Sequence, residues 1–355
     1  MSRRTVATLL AVVLLVVLAG TSLSRPVGYT VFSPGPTINV LGSNGKKQII
    51  TVSGHKAFRD DGGIRLVTVY ETAIDQKVTL FDALRAWVDP NDGVYPHDVI
   101  YQRTDTTSSV RQESAAEMTS SQDNAVAAAL RELHVKYTTA VKIATVDRKG
   151  PAKGRLKPGD LIVAVDGVRT SNPDAVVRHI KTRPPGSRVT VTVDRSGRRL
   201  QVPVTTGPLG PKGRMRHQSR VGVGISPSYR FPFDVGLHLS SNIGGPSAGL
   251  MFSLGVYDVL TPGSLTGGKI VAGTGTIDAR GRVGPIGGIR QKMVGAQRDG
   301  AKLFFVPAGN CAEALGGHWD PSKMRLVRVT TMPQALAALK AWTKNPNAEL
   351  PGCRR

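Results

Sequence analysis

The sequence predicts a multidomain α+β chain, and three observations predict it. An uncharged Val- and Leu-rich run opens the chain, alternating β-branched runs bounded by Gly/Pro turns follow, and two late glycine turns each lead into an apolar helical stretch. At 355 residues the chain is long enough for two or three domains, each burying its own core.

Met1-Ser2-Arg3-Arg4 precedes an uncharged run from Thr5 to Ser24, and roughly twenty helical residues span a bilayer core of about 30 Å. A cleaved signal peptide has a shorter apolar core and an Ala-x-Ala-like site, which Leu18-Ala19-Gly20-Thr21-Ser22 matches poorly, so residues 1–25 read as an uncleaved single-pass anchor. Arg3 and Arg4 keep the N-terminus cytoplasmic and put everything after Arg25 outside, away from ATP. The net charge of +22 is spread along the chain without zinc-finger spacing or an aromatic RNA-binding signature. It therefore reads as a basic surface facing an anionic envelope, with no nucleic-acid partner. Cys311 and Cys353 lack Cys-x-x-Cys spacing and suggest neither a zinc site nor a redox motif, and no metal or other cofactor is expected. Outside the cytoplasm they are either a disulfide that ties down the tail 346–355 or two free thiols.

Residues 26–130 form a β-rich segment with a helical connector. Ser33-Pro34-Gly35-Pro36 is a turn, Gln48–Val52 and Ile64–Tyr70 alternate as strands, and Leu80–Trp87 is a helix that Asp89-Pro90 stops. Nothing in this segment reads as catalytic. The stretch from Arg103 to Ser121 is polar and weakly periodic, and 122–133 is an alanine-rich helix leading into the next domain.

Over 131–206 the order is turn, strand and turn in Gly154–Gly167, then a helix from Asn172-Pro173-Asp174 to Lys181, the turn Pro184-Pro185-Gly186 and the strand Val189–Val193. The run Lys157-Pro158-Gly159-Asp160-Leu161-Ile162 with Val165-Asp166-Gly167 resembles a PDZ domain, which implies capture of an extended peptide at a sheet edge. The resemblance puts the carboxylate-binding loop near Val135, Lys136, Tyr137 and Val141, although no Gly-Leu-Gly-Phe-like run stands there. Residues 207–216, rich in Gly and Pro, read as a linker.

The domain 217–345 carries the chemistry. Gly244-Gly245-Pro246-Ser247-Ala248-Gly249 is a strand-to-helix turn that places Ser247 near free helix N–H groups, as a cap or as a nucleophile. Gly-x-Ser-x-Gly also fits the α/β-hydrolase elbow, but that fold needs an acid and then a histidine after the serine, and only His318 follows. A second turn, Gly284-Pro285-Ile286-Gly287-Gly288, leads into a helix with Lys292 in its first turns, where the dipole disfavours the protonated amine.

Pro246-Ser247-Ala248-Gly249, Thr274-Gly275 and Gly287-Gly288-Ile289-Arg290-Gln291-Lys292 together resemble the proteolytic domain of Lon-type serine peptidases. The order of anchor, β-rich segment, PDZ domain and peptidase domain is similar to the membrane-anchored PDZ/Lon-like proteases of bacteria. This implies a ribosomal protein S5 domain 2-like fold and an ATP-independent endopeptidase for unfolded or extended proteins. It also implies a homo-oligomeric ring, six subunits in the familiar case. Residue by residue, the resemblance makes Ser247 the nucleophile, Lys292 the general base and Thr274 the residue that orients the amine. Gly244, Gly245, Pro246 and Ala248 form the oxyanion loop. Classical ATP-driven Lon carries an aspartate three residues before the serine, where this chain has Gly244. No Gly-x-x-x-x-Gly-Lys-[Ser/Thr] phosphate loop occurs. His238 reads as structural, and Asp258 and Asp278 as surface or capping groups. The competing class is a catalytically silent PDZ scaffold in the membrane.

Overall fold

In the computed structural model, residues 2–45, 47–102, 105–147, 149–210, 213–240 and 243–354 are described. They form two compact units, Met1–Leu133 with Phe233–Arg355, and His134–Pro232.

The first unit is built on a six-stranded sheet in the order Arg325–Val329, Leu303–Pro307, Ile270–Gly273, Gly63–Glu71, Tyr29–Asn39, Gly93–Pro96. The first four strands are parallel, and the last two add antiparallel. Leu303–Pro307 is buried at every position, as a strand covered on both faces must be. Asp234–Leu237 pairs separately with Ile50–Ser53. The expected division between a β-rich segment 26–130 and a separate domain 217–345 is therefore corrected: strands from both halves complete one sheet. Chain order conceals this, because the pairing joins residues some two hundred positions apart.

The helix Gly249–Leu260 is apolar on nearly all sides and buried throughout except at Tyr257. The polar and alanine-rich stretches read separately in the sequence are one helix, Thr107–Glu132, opened by a Thr106/Ser109 capping box. Its alanine-rich end from Ala125 to Leu130 is buried. Arg103, where the polar stretch was taken to begin, lies outside the described residues. The N-terminal helix Arg3–Leu23 has a mean hydropathy of 2.6 and is long and apolar enough to cross a membrane.

Cys311 and Cys353 are disulfide-bonded. The bond ties the tail to a core cluster that contains Ile289, Met293 and Ala314.

The second unit is an antiparallel sheet in the order Arg198–Thr205, Arg188–Arg195, Leu161–Val165, Thr138–Val146, Val223–Arg230, with Val168–Arg169 added to Leu161–Val165. The helix Pro173–Lys181, with Asn172 as N-cap and proline at its start, closes the core through Val176 and Ile180. Asp160 of the Pro-Gly-Asp turn is buried, accepts the Lys157 N–H at 2.8 Å and takes a bidentate pair from Arg195 at 2.7 Å. The hydrogen bonds from Arg195 hold its carboxyl below the usual carboxylate range. The stretch expected as a linker is part of this unit, since Gly207–Pro208 pairs with Ser219–Arg220. Pro211 and Lys212 within that stretch lie outside the described residues. The boundary expected at 206 thus moves to 232, because the last strand returns to pair with Thr138–Val146.

The disulfide spans a sequence separation of 42 residues, so Cys353→Ser should lower the unfolding free energy by about 2–4 kcal/mol. Denaturant titration in detergent reads the loss; reductant should reproduce it in the parent chain and leave the variant unchanged.

Candidate active site

A cleft of about 500 Å³ in the first unit brings together Ser247, Gly244, Ala248 and Lys292 with Leu66–Glu71 of the sheet and Ser114 and Met118 of the long helix. Ser247 lies in the turn just before the helix Gly249–Leu260. Four residues hold that turn. The Gly245 N–H donates to the Ser114 carbonyl at 3.1 Å, with Gly245 at φ +81°. Ser121 Oγ donates to the Pro246 carbonyl at 2.9 Å. The Ser247 carbonyl accepts from the Gly275 N–H at 2.8 Å and from Thr274 Oγ1 at 3.0 Å.

These bonds decide which donors are available. In a trans peptide the C=O and the following N–H point in opposite directions, so anchoring the Ser247 carbonyl on Thr274 and Gly275 turns the Ala248 N–H away from them. Ala248 is the N-cap of the helix, and no side chain caps it. The Gly245 N–H, expected as an oxyanion donor, is instead spent on Ser114, and Pro246 has no N–H to give. Gly244 has a steric reason as well. A Cβ there would stand 2.9 Å from Ser114 Cβ and 3.0 Å from Ser114 Oγ. The long helix thus occupies the space that a larger residue at 244 would need.

Lys292 is the fourth residue of the helix Ile289–Arg298, which starts at Gly288 in the left-handed region with φ +68°. It is 3% exposed. Burial pushes its ammonium down to about 8, and Glu313 opposes that shift. Its Nζ donates to Thr274 Oγ1 at 3.5 Å, and the hydroxyl of Thr274, also buried, donates in turn to the Ser247 carbonyl. Thr274 is therefore the link between the amine and the serine turn. Burial lowers the lysine here, the desolvation that a lysine base requires, beside the helix dipole that the sequence suggested.

Of the other expectations, the one for Asp258 changes. His238 hydrogen-bonds with Thr51 Oγ1 at 3.0 Å, and His318 is exposed. Asp258 is buried rather than at the surface; burial raises its carboxyl to about 6, and it accepts the Leu265 N–H at 2.8 Å. Asp278 closes the turn to Arg282, accepting its N–H at 2.9 Å and its Nε at 2.6 Å. The sequence reading missed Leu66–Glu71, Ser114 and Met118, all from the segment read as non-catalytic. Nothing in their local pattern marks them, because they reach the cleft only through long-range pairing.

In the second unit, a groove of about 480 Å³ lies between the helix Pro173–Lys181 and the segment Ser219–Ile225. The expected peptide-binding residues do not line it. Val141 is fully buried and pairs with Ile162 on one side and Pro227 on the other, so it cannot offer an open edge. Tyr137 packs on Tyr229 and Phe231, and Val135 and Lys136 precede the strand. The edge strand is Val223–Arg230, entered through Gly222 at φ +75°. Gly222-Val223-Gly224-Ile225 carries the Gly-apolar-Gly-apolar pattern that is absent near residue 135, and it stands in the sequence beyond the domain end expected at 206.

Residues 223–320 match the family model of the Lon protease (S16) C-terminal proteolytic domain, and residues 105–206 match that of the PDZ domain. The chain thus carries a PDZ domain and a Lon-type (S16) proteolytic domain. Among similar proteins, Lon protease 1 of Bacillus subtilis is 31% identical over 30% of this chain. Lon protease 1 of Herpetosiphon aurantiacus is 36% identical over 25%. The chain spans only 15% and 11% of the length of these two relatives. The PDZ domain of an SdrC-like protein from Listeria innocua aligns at 19% identity and a TM-score of 0.22, covering 24% of this chain and 92% of that one.

Gly244→Asp should force its Cβ into Ser114 and cost about 1–3 kcal/mol of stability, read by thermal or denaturant unfolding. Ser114→Gly in the same chain should recover part of that loss.

Proposed function

We propose that the chain is an ATP-independent serine endopeptidase in which Ser247 is the nucleophile and Lys292 the general base. The observation that carries this reading is Lys292, buried in the same cleft as Ser247 and tied to its turn through Thr274. A serine hydroxyl is a weak nucleophile until a neighbour removes its proton, and a lysine amine can do so near neutral pH only when desolvated.

The neutral Lys292 amine keeps one N–H on Thr274 Oγ1 and turns its lone pair to Ser247 Oγ. Ser247 Oγ attacks the scissile carbonyl carbon while its proton passes to Lys292. The oxyanion that forms is met by the Ala248 N–H at the uncapped helix start. When the tetrahedral adduct collapses, the C–N bond breaks and Lys292 gives the proton to the leaving amine. Lys292 then takes a proton from water, the hydroxide adds to the acyl-enzyme, and the released Ser247 Oγ recovers the proton.

The substrate enters as an extended strand. Gly63–Glu71 pairs with Ile270–Gly273 only as far as Leu66, and among the described strands none pairs with Val67–Glu71 on that side, which lines the cleft. A peptide laid along this edge would satisfy its own backbone groups and present a carbonyl to Ser247. Ile38, Leu66, Val67, Val69 and Met118 favour apolar side chains next to the scissile bond.

The helix Arg3–Leu23 anchors the chain in the cytoplasmic membrane, with Arg3 and Arg4 inside and both units outside. Substrates in this reading are envelope proteins already unfolded, delivered by peptide capture in the groove between Pro173–Lys181 and Val223–Arg230. The protein works as a homo-oligomeric ring.

Cleavage of an unstructured peptide by the purified full chain should vanish in Ser247→Ala and fall by at least about a hundredfold in Lys292→Ala, with binding retained. Full activity in Lys292→Ala would overturn the dyad, and cleavage by neither parent nor variant would favour the silent scaffold. The rate should rise with pH through about 8, where Lys292 loses its proton. Glu313 stabilises the protonated amine, so Glu313→Gln should move that rise to lower pH, as a pH profile of single-turnover acylation would read.

A further inference from the structure

We propose that the short helix Leu80–Val88 lies in the headgroup layer of the membrane as a second contact beside the helix Arg3–Leu23. The proposal rests on the reading of Arg3–Leu23 as a membrane span.

Connectivity fixes where the short helix begins. The Leu80 N–H donates to the Arg25 carbonyl at 2.9 Å, and Arg25 is only two residues beyond the last residue of the long apolar helix. The strands on either side of this bond also pair, Pro26 with Thr79 and Val27 with Val78. The end of the long helix touches the short one. A bilayer of about 40–45 Å with a hydrocarbon core of about 30 Å leaves roughly 5–7 Å of headgroup layer on each side. A helix that starts two residues from the end of a span starts within that layer.

Its face is made for such a place. Ala83 and Ala86 pack inward, Phe81, Leu84 and Val88 recur on the opposite side, and Trp87 stands exposed at the margin between the two. Trp87 is 76% exposed and Val88 75%. Four large apolar groups on nine residues form a patch that water disfavours and the acyl boundary accepts. Tryptophan is the side chain most at home at that level, since its ring is apolar and its N–H can reach water or a headgroup. Arg25, Lys77 and Arg85 stand among Asp75, Asp82, Asp89 and Asp92, so the pull toward the membrane comes from the apolar side chains. Such a contact would hold the first unit at a fixed height, so that the cleft meets chains at a set distance from the lipid.

The test uses the full chain reconstituted in vesicles of phosphatidylcholine and phosphatidylglycerol, with tryptophan fluorescence quenched by lipids brominated along the acyl chain. Trp342 is buried and Trp319 half-buried, which leaves Trp87 as the reporter. Quenching is expected in the parent chain and is expected to be lost in Trp87→Phe and weakened in Leu84→Ser with Val88→Ser. Equal quenching in parent and Trp87→Phe, or none in either, overturns the proposal. Alkaline carbonate extraction separates the two readings: a chain retained in the membrane but unquenched keeps the anchor and loses this surface, and a chain extracted and unquenched loses both. A disulfide-linked dimer formed by Trp87→Cys in the same vesicles would assign the face to a second copy and overturn the lipid contact.

Discussion

The parallel pairing of Ile270–Gly273 with Gly63–Leu66 is the contact on which the cleft depends. It joins the two halves of the first unit, and it stops before Gly63–Glu71 does. Where the pairing stops, Val67–Glu71 runs on with one edge open, and the turn of Ser247 and the helix of Lys292 face that edge. A sheet edge inside a compact unit is ordinarily covered, because unpaired backbone groups invite another strand. Here the open edge lies in the cleft, which suits a protein that receives peptides.

The serine turn is held from two sides. The long helix Thr107–Glu132 contributes Ser114 and Ser121, and the segment after Ile270–Gly273 contributes Thr274 and Gly275. The two glycines at the start of the turn answer different demands: Gly245 adopts a positive φ that most side chains avoid, and Gly244 admits Ser114 at close range. These bonds fix the direction of each peptide in the turn, and in the proposed reaction donors already in place would need no reorganisation when charge develops. The same helix that positions this turn ends at Glu132, two residues before the second unit begins at His134.

The second unit is an insertion between two halves of the first, and its edge strand Val223–Arg230 comes from sequence that also falls within the match to the S16 proteolytic domain. Composition suggested a linker at 207–216, because Gly and Pro are common in linkers. Pairing of Gly207–Pro208 with Ser219–Arg220 shows the same residues serving as turn and short strand. The groove beside Pro173–Lys181 depends on that return, since Val221, Val223 and Ile225 come from it.

Much of the site was legible in the chain, because the signals for it are local. Ser247 and Lys292 each follow a glycine turn into a helix, and Thr274 stands beside a glycine that needs its own turn; short-range sterics and helix-end electrostatics require those patterns wherever they occur. Residues 3–23 likewise declare their length and apolarity without any partner. What sequence could not supply is everything set by contact at a distance: Val67–Glu71 as a wall of the cleft, Ser114 as the reason for Gly244, Gly222–Ile225 as the groove loop, and burial as the force acting on Lys292. A residue's dihedral needs and periodicity are written in its neighbours along the chain, whereas its solvent exposure and its pairing partner are fixed only when distant segments close around it.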